Sequence, residues 1–237
     1  MNKAKRGKRK QREYYKLRLD SASMEAYSML QTNLDFYGID QKQQVILITS
    51  SLQAEGKSTT ISNLGVAFAQ SDKRVLIVDL DLRKPVQHRI FNVPSTTGVT
   101  TVLTGKSKIE DAIKPTDRDN LFLLPCGIRP PNPTELLRSE ALRQLIEYLR
   151  TKYDIIILDT PPVLALADAA ILSKYADSVL LVVSAGIVDM TSLELSIKNL
   201  NMVNANIIGV VMNNIKVGDH RNSYYYRYGY GYRYGND

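Results

Sequence analysis

The chain has one cysteine, Cys126, among 237 residues, so no intrachain disulfide can form. That excludes a small disulfide-stapled scaffold and fits a reducing cytosol. No run of about 18 apolar residues occurs, so no membrane-spanning helix is expected. The N-terminus is basic but has no apolar stretch behind it, unlike a secretory signal. No internal repeat is visible. Residues Tyr224–Gly235 contain no aliphatic side chain, so a packed core is not expected there.

Acidic charge is scarce in one place only. Residues 1–20 hold nine Lys or Arg against Glu13 and Asp20, a net of +7, while the other 217 residues carry 22 basic and 22 acidic groups. The whole excess of the chain therefore sits on an N-terminal arm. Such an arm is either a solvated tail or an element attracted to anionic lipid, nucleic acid or an acidic partner. Tyr14 and Tyr15 lie among its basic groups, but no recognisable nucleic-acid fold follows, so no specific nucleic acid is expected. An anionic membrane surface is the favoured contact. Tyrosine is skewed to the other end: seven of 14 fall at Tyr224, Tyr225, Tyr226, Tyr228, Tyr230, Tyr232 and Tyr234.

Between the ends, short apolar runs alternate with helical stretches. Val45–Ser50, Val75–Val78, Leu121–Leu124, Ile155–Leu158, Val179–Val183 and Ile207–Met212 read as strands. Ser58–Gln70, Ser139–Arg150, Asp168–Tyr175 and Thr191–Val203 read as helices, with one more around Ala22–Phe36. Strands apolar throughout suit a parallel sheet covered on both faces, and the alternation points to α/β crossovers. The expected architecture is a P-loop NTPase-like, mostly parallel sheet. One domain spans 21–216, between a flexible arm (1–20) and a flexible tail (217–237).

Ligands of such sheets bind outside the carboxyl ends of the strands, and three informative segments sit there. Thr49-Ser50-Ser51-Leu52-Gln53-Ala54-Glu55-Gly56-Lys57-Ser58-Thr59-Thr60 joins a strand to a helix and looks like a phosphate-binding loop, with Ser51 in the place of its usual first glycine. Loop amides and the helix N-terminus point at phosphates. Lys57 reaches the β- and γ-phosphates, and the Ser58 hydroxyl holds Mg²⁺. Ala54, Glu55, Gly56, Lys57, Ser58 and Thr59 are thus the expected nucleotide contacts. Val75-Leu76-Ile77-Val78-Asp79-Leu80-Asp81-Leu82-Arg83 delivers two carboxylates at i and i+2, on one side of the strand line. Ile155-Ile156-Ile157-Leu158-Asp159 is an apolar strand ending in an acid, the Walker B pattern, whose carboxylate holds Mg²⁺ directly or through water.

These motifs resemble the bacterial tyrosine kinases of polysaccharide synthesis, the BY-kinases, in their free-standing cytoplasmic form from Gram-positive bacteria. The resemblance covers residues 22–216 and the tyrosine-rich tail. Its most specific part is Val75–Pro85, similar to the family's extra Walker A′ motif, Asp-x-Asp-x-Arg. Glu55–Thr60, Asp159-Thr160-Pro161-Pro162 and Pro131-Asn132-Pro133-Thr134-Glu135-Leu136-Leu137 are also similar to family segments. The resemblance implies ATP-dependent phosphorylation of tyrosine, the C-terminal cluster included. It also implies a role in capsular or extracellular polysaccharide synthesis, and activation by a membrane adaptor of the polysaccharide co-polymerase type. The protein would then sit in the cytoplasm, peripherally at the inner face of the membrane through that partner. The family often carries Glu-x-x-Arg-x-x-Arg on its first helix, which builds a ring of subunits. Glu25 is present here, but Ser28 and Gln31 replace both arginines, and neither makes a bidentate contact with a carboxylate. Self-association for trans-phosphorylation is expected to be weaker or built differently.

On this reading Lys57 stabilises charge on the phosphates, Ser58 and Asp159 position Mg²⁺, and Asp81 assists the metal. Asp79 is the first choice to accept the tyrosine proton, with Asp81 close behind. Arg83 holds either the acids or the incoming acceptor. Asn213, after the last strand, is either an adenine contact by resemblance to related ATPases or a strand-end turn. The rival reading is a ParA- or MinD-like positioning ATPase. Those relatives resemble Lys-Gly-Gly-x-Gly-Lys-Thr, whereas Leu52, Gln53 and Ala54 stand here at the first lysine and the two glycines. A third reading is an adaptor that holds ATP as a structural ligand, which five intact site residues argue against.

Overall fold

The computed structural model describes residues 21–38 and 43–215. The basic arm and the tyrosine-rich tail expected above lie outside the described residues. The elements run α1 (Ser21–Tyr37), β1 (Val45–Ser50), α2 (Lys57–Gln70), β2 (Val75–Asp79), α3 (Gln87–Ile90), α4 (Val99–Leu103), α5 (Ile109–Ala112), β3 (Lys114–Pro115) and β4 (Leu121–Leu124). They continue with α6 (Pro133–Leu137), α7 (Glu140–Arg150), β5 (Ile155–Asp159), α8 (Asp168–Ser173), β6 (Ser178–Ser184), α9 (Met190–Asn201) and β7 (Ile207–Asn213).

The strands form one sheet in the order β3-β4-β2-β5-β1-β6-β7. Every pairing is parallel except β3 with β4. The central strands are buried along their whole length, as the unbroken apolar runs require. Successive side chains leave opposite faces, so β1 feeds two cores: Val45 and Leu47 pack with the α7, α8 and α9 layer, Ile46 and Ile48 with the α1 and α2 layer. Gly65 lets α2 lie close to the sheet, since a Cβ there would meet Ile77 Cδ1 at 2.9 Å.

Local chemistry sets the helix ends. The Ser139 hydroxyl caps α7 by accepting from the Leu142 amide at 3.2 Å, and Asp189 caps α9 through Ser192 N at 2.7 Å. Helix α1 is held on α2 by Leu34 in the core, an ion pair between Lys73 and Asp35, and the Ser71 hydroxyl donating to Gln31 Oε1 at 3.3 Å. No helix among the described residues is long and apolar enough to cross a membrane.

All six expected strands and five expected helices are present, within two residues at each end. The two-residue β3 and the short α3 to α6 carry too few residues for a periodic signal and were not anticipated. One difference bears on chemistry. The i, i+2 rule for Asp79 and Asp81 assumes a strand through both, but β2 stops at Asp79.

Candidate active site

Strands β1, β2 and β5 end side by side, with Asp79 paired in register to Asp159. The loop from β1 to α2 rises over them. Ala54 has φ +66° and Gly56 φ +83°. Left-handed residues alternating with right-handed ones turn successive amides toward one side and form an anion-binding concavity, and here it lies at the N-terminus of a 14-residue helix. A Cβ on Gly56 would lie 1.7 Å from Asn213 Nδ2, so glycine is required by space as well as by φ.

The loop is braced from below. The buried Glu55 carboxylate accepts from Leu52 N at 2.6 Å and Ser184 N at 3.3 Å, while its carbonyl accepts from Asn213 Nδ2 at 3.1 Å. The charge of Glu55 is thus committed to the loop's own scaffold. The Asn213 amide is a strut joining the end of β7 to the loop.

Lys57 is 7% exposed, and its ammonium contacts Asp159 Oδ1 and lies 3.4 Å from Ser58 Oγ. The other Asp159 oxygen accepts from Gln87 Nε2 at 2.6 Å. Gln87 is fully buried, and sequence reasoning missed it. Its Nε2 also donates to the Ser58 carbonyl at 3.2 Å, its Oε1 accepts from Ser62 Oγ at 2.9 Å, and its backbone amide donates to Asp79 Oδ2 at 3.2 Å. One side chain therefore ties β5 to the first turn of α2. No motif announces it, because its partners lie 29 and 72 residues away.

The two acids of the second motif part company. Asp79 is wholly buried, and its Oδ1 has no hydrogen-bond partner among the described residues. Burial above all, and then the Asp159 charge, push its carboxyl well above the usual carboxylate range. Asp81 lines a cavity of about 510 Å³ together with residues 53–59, Arg83, Lys84, Pro161 and Pro162. Its Oδ1 accepts from Lys84 N at 2.9 Å. Its carboxyl is also raised, first by burial, with Lys57 pulling the other way. Asp81, rather than Asp79, faces the cavity.

Ser58 and Asp81 line this cavity beside Lys57 and the amide-lined loop, and Asp159, fully buried, lies just behind the Lys57 ammonium, so hard oxygen donors gather there. Among the described residues, no group of three or more His, Cys, Asp or Glu forms a closed metal site. Mg²⁺ characteristically takes one or two carboxylates and completes its shell with phosphate and water, so this donor set fits a metal that arrives with a nucleotide.

An AAA-domain family model matches residues 43–215. The tyrosine-protein kinase YwqD of Bacillus subtilis is 40% identical over 87% of this chain and 87% of its own. The putative tyrosine-protein kinase CapB of Staphylococcus aureus is 33% identical over 88% of this chain and 91% of its own. This chain belongs to the bacterial tyrosine kinases. Solved structures agree. The chimerical protein CapA2B2 superposes with a TM-score of 0.80 at 36% identity, covering 84% of this chain and 87% of that one. The kinase domain of Escherichia coli ETK gives 0.81 at 34% identity, covering 84% and 78%. The septum site-determining protein MinD of Pyrococcus horikoshii, solved with Mg-ADP, gives 0.61 at 28% identity, covering 71% and 69%. The positioning-ATPase alternative is therefore a more distant structural relation than the kinases.

In this kinase Arg83 is anchored from behind. Its Nε donates to Asp168 Oδ2 at 3.1 Å and its Nη2 to Thr134 Oγ1 at 3.1 Å; the Thr134 hydroxyl donates to Asp168 Oδ1 at 3.0 Å. The Asn-Pro-Thr-Glu segment that resembled the family thus serves as a support for Arg83, a link invisible in sequence. Gln31, at a position where the family often has arginine, is 8% exposed and faces Asp35 and Ser71 of its own chain. Glu25 and Ser28 are exposed on α1. The acceptor tyrosines named from sequence lie outside the described residues.

Proposed function

We propose that this kinase moves the γ-phosphoryl of Mg²⁺-bound ATP to tyrosines of its own C-terminal cluster, Tyr224 to Tyr234, in a neighbouring copy. The observation that supports this most directly is the convergence of Lys57, Ser58, Asp159 and Asp81 under one amide-lined loop. Catalysis of this kind is mainly alignment and charge neutralisation. The loop amides and Lys57 bind the phosphates, while Ser58 and Asp159 would hold Mg²⁺, which would neutralise charge on the phosphate oxygens.

The phenol oxygen forms the new bond to phosphorus as the bond to the ADP oxygen breaks. Asp81 takes the phenolic proton. Phenol has a pKa near 10 and is protonated at neutral pH, so a base is needed. Burial raises the Asp81 carboxyl above the usual carboxylate range, which makes it a stronger base than an ordinary carboxylate. Asp79, buried beneath, is the second choice. Arg83, held by Asp168 and Thr134, orients Asp81 or the incoming tyrosine. Asn213 keeps the loop in shape through its bond to the Glu55 carbonyl and would contact the adenine.

The polysaccharide role, the membrane adaptor and peripheral attachment at the inner face of the membrane are part of the same proposal. The +7 arm supports contact with an anionic surface. The test is incubation of the purified protein with Mg²⁺ and labelled ATP, with and without an adaptor segment, followed by phosphosite mapping. Phosphotyrosine on Tyr224–Tyr234 that is absent from a Lys57→Met control is the expected result. ATP hydrolysis with no phosphotyrosine, even with an adaptor bound, would overturn the reading in favour of a positioning ATPase.

A further inference from the structure

A second cavity, of about 330 Å³, opens at the opposite end of the sheet, at the amino ends of β2, β4 and β5. Arg74, just before β2, sits over two neighbouring rings, its guanidinium carbon 5.2 Å from the Phe122 centroid and 5.0 Å from that of Tyr153. Those rings meet edge to face at 5.7 Å. The Lys152 ammonium lies 5.7 Å over the Tyr148 ring. Ile109, Ile113 and Pro115 supply apolar wall. Neither Arg74 nor Lys152 is held in an ion pair among the described residues. The one carboxylate of the lining, Glu110, accepts from the Tyr148 hydroxyl at 3.2 Å.

The chemistry on offer is an aromatic and apolar slot with two cations at its rim. An aromatic ring bearing a dianion fits it: the ring stacks in the slot and the phosphate takes the guanidinium and the ammonium. An unmodified tyrosine offers only the ring. The chain contains its own source. Residues 217–237 hold seven tyrosines with Arg221, Arg227 and Arg233, so the unmodified tail is slightly cationic and is repelled by Arg74 and Lys152. Each phosphate adds about −1.5 to −2 charges and reverses that sign.

We propose that this cavity is a docking site for a phosphotyrosine of the same chain's C-terminal tail. The inference rests on the reading that the tail is the phosphoacceptor. Reach permits it. The described chain ends at Ile215, on the carboxyl side of the sheet. Tyr224 and Tyr234 follow by nine and 19 residues, or up to roughly 30 Å and 65 Å of extended chain; the path runs down a strand about 17 Å tall and across the four strand spacings from β7 to β2, about 19 Å more, so the later tyrosines of the cluster are the ones within reach. Docking there carries a finished tyrosine away from the catalytic cavity, and the next can then enter.

The test uses the full chain with all seven tail tyrosines changed to Phe, so that no endogenous phosphotyrosine competes. Probes are a synthetic 222–235 peptide phosphorylated at Tyr228, the same peptide without phosphate, and inorganic phosphate. Calorimetry should show saturable binding of the phosphopeptide alone, weakened about tenfold by Arg74→Gln and again by the exposed Lys152→Gln. Equal binding of the plain peptide would overturn the proposal, as would binding that survives Lys152→Gln in a variant of unchanged melting temperature. Phosphopeptide binding lost in Lys57→Met but kept in Arg74→Gln would place the peptide in the catalytic cavity and overturn it too. The peptide is phosphorylated chemically, so this result is separate from the kinase assay above. If that assay finds no phosphotyrosine on the tail, it is the acceptor reading that has failed.

Discussion

Gln87→Met isolates what one buried amide does for the metal ligand. Methionine matches glutamine closely in length and volume, so packing should cost less than about 1.5 kcal/mol. The losses are polar. The 2.6 Å bond to the Asp159 carboxylate involves a charged acceptor and is worth about 1.5–3 kcal/mol. The contacts with the Ser58 carbonyl and the Ser62 hydroxyl are worth about 1 kcal/mol each. Ser62 Oγ keeps its 2.7 Å bond to the Ser58 carbonyl, which trims the last loss. The sum is about 3–5 kcal/mol. At about 2–4 °C per kcal/mol for a chain of this size, the melting temperature should fall by roughly 10 °C. With Asp159 no longer oriented, the Mg²⁺ concentration giving half-maximal phosphorylation should rise about tenfold, as outer-shell partners of metal ligands typically show. Ser62→Ala removes two neutral contacts, to the Ser58 carbonyl and to Gln87 Oε1, leaves the bond from Gln87 to Asp159 in place, and should leave the Mg²⁺ response unchanged. Thermal melts and Mg²⁺ titrations of activity on all three proteins decide the matter. A lowered melting temperature with an unaltered Mg²⁺ response would make Gln87 a core strut with no role at the metal and refute the reasoning.

Two further outcomes are expected. Gly56→Ala forces a left-handed φ on a residue with a Cβ, at about 1 kcal/mol or more, and drives that Cβ into Asn213; nucleotide binding by a fluorescent ATP analogue should fall at least tenfold, and undiminished binding would mean the loop reshapes freely. Asp79→Asn should stabilise the protein at neutral pH. Because the folded carboxyl is raised, the wild type is most stable below the ordinary carboxylate range and loses stability as pH rises toward the folded value. Asparagine escapes that loss, so urea melts should show no gain near pH 4 and a growing gain toward pH 7, and a gain largest in acid would contradict the assignment.

The fold was legible because unbroken apolar strands alternating with helical stretches are local signals. Val45–Ser50 and Ile155–Asp159 could be placed in a parallel core from their own residues. The short α3 to α6 and the two-residue β3 were not legible, since a single turn has no period. Within the site, Lys57, Ser58 and Asp159 were readable because strand, loop and helix fix them in sequence order. Asp79 and Asp81 were misjudged in their facing because β2 ends at the first of them. The commitment of Glu55 to Leu52 and Ser184, and the partners of Gln87, are long-range choices among polar groups. Sequence near those residues carries no trace of them.

The contact between Lys57 and Asp159 implies a rule for how ligands load. The two charges cancel in a nearly dry setting. A phosphate that draws the ammonium away strands a buried carboxylate, and a divalent cation that draws the carboxylate away strands a buried ammonium. Either alone meets the cost of an uncompensated interior charge, which is several kcal/mol. Together they meet almost none of it, since each takes up the partner the other released. Metal and nucleotide should therefore bind with strong positive synergy, each tightening the other by the same factor. The protein is thereby biased toward the magnesium complex of its nucleotide over either component alone.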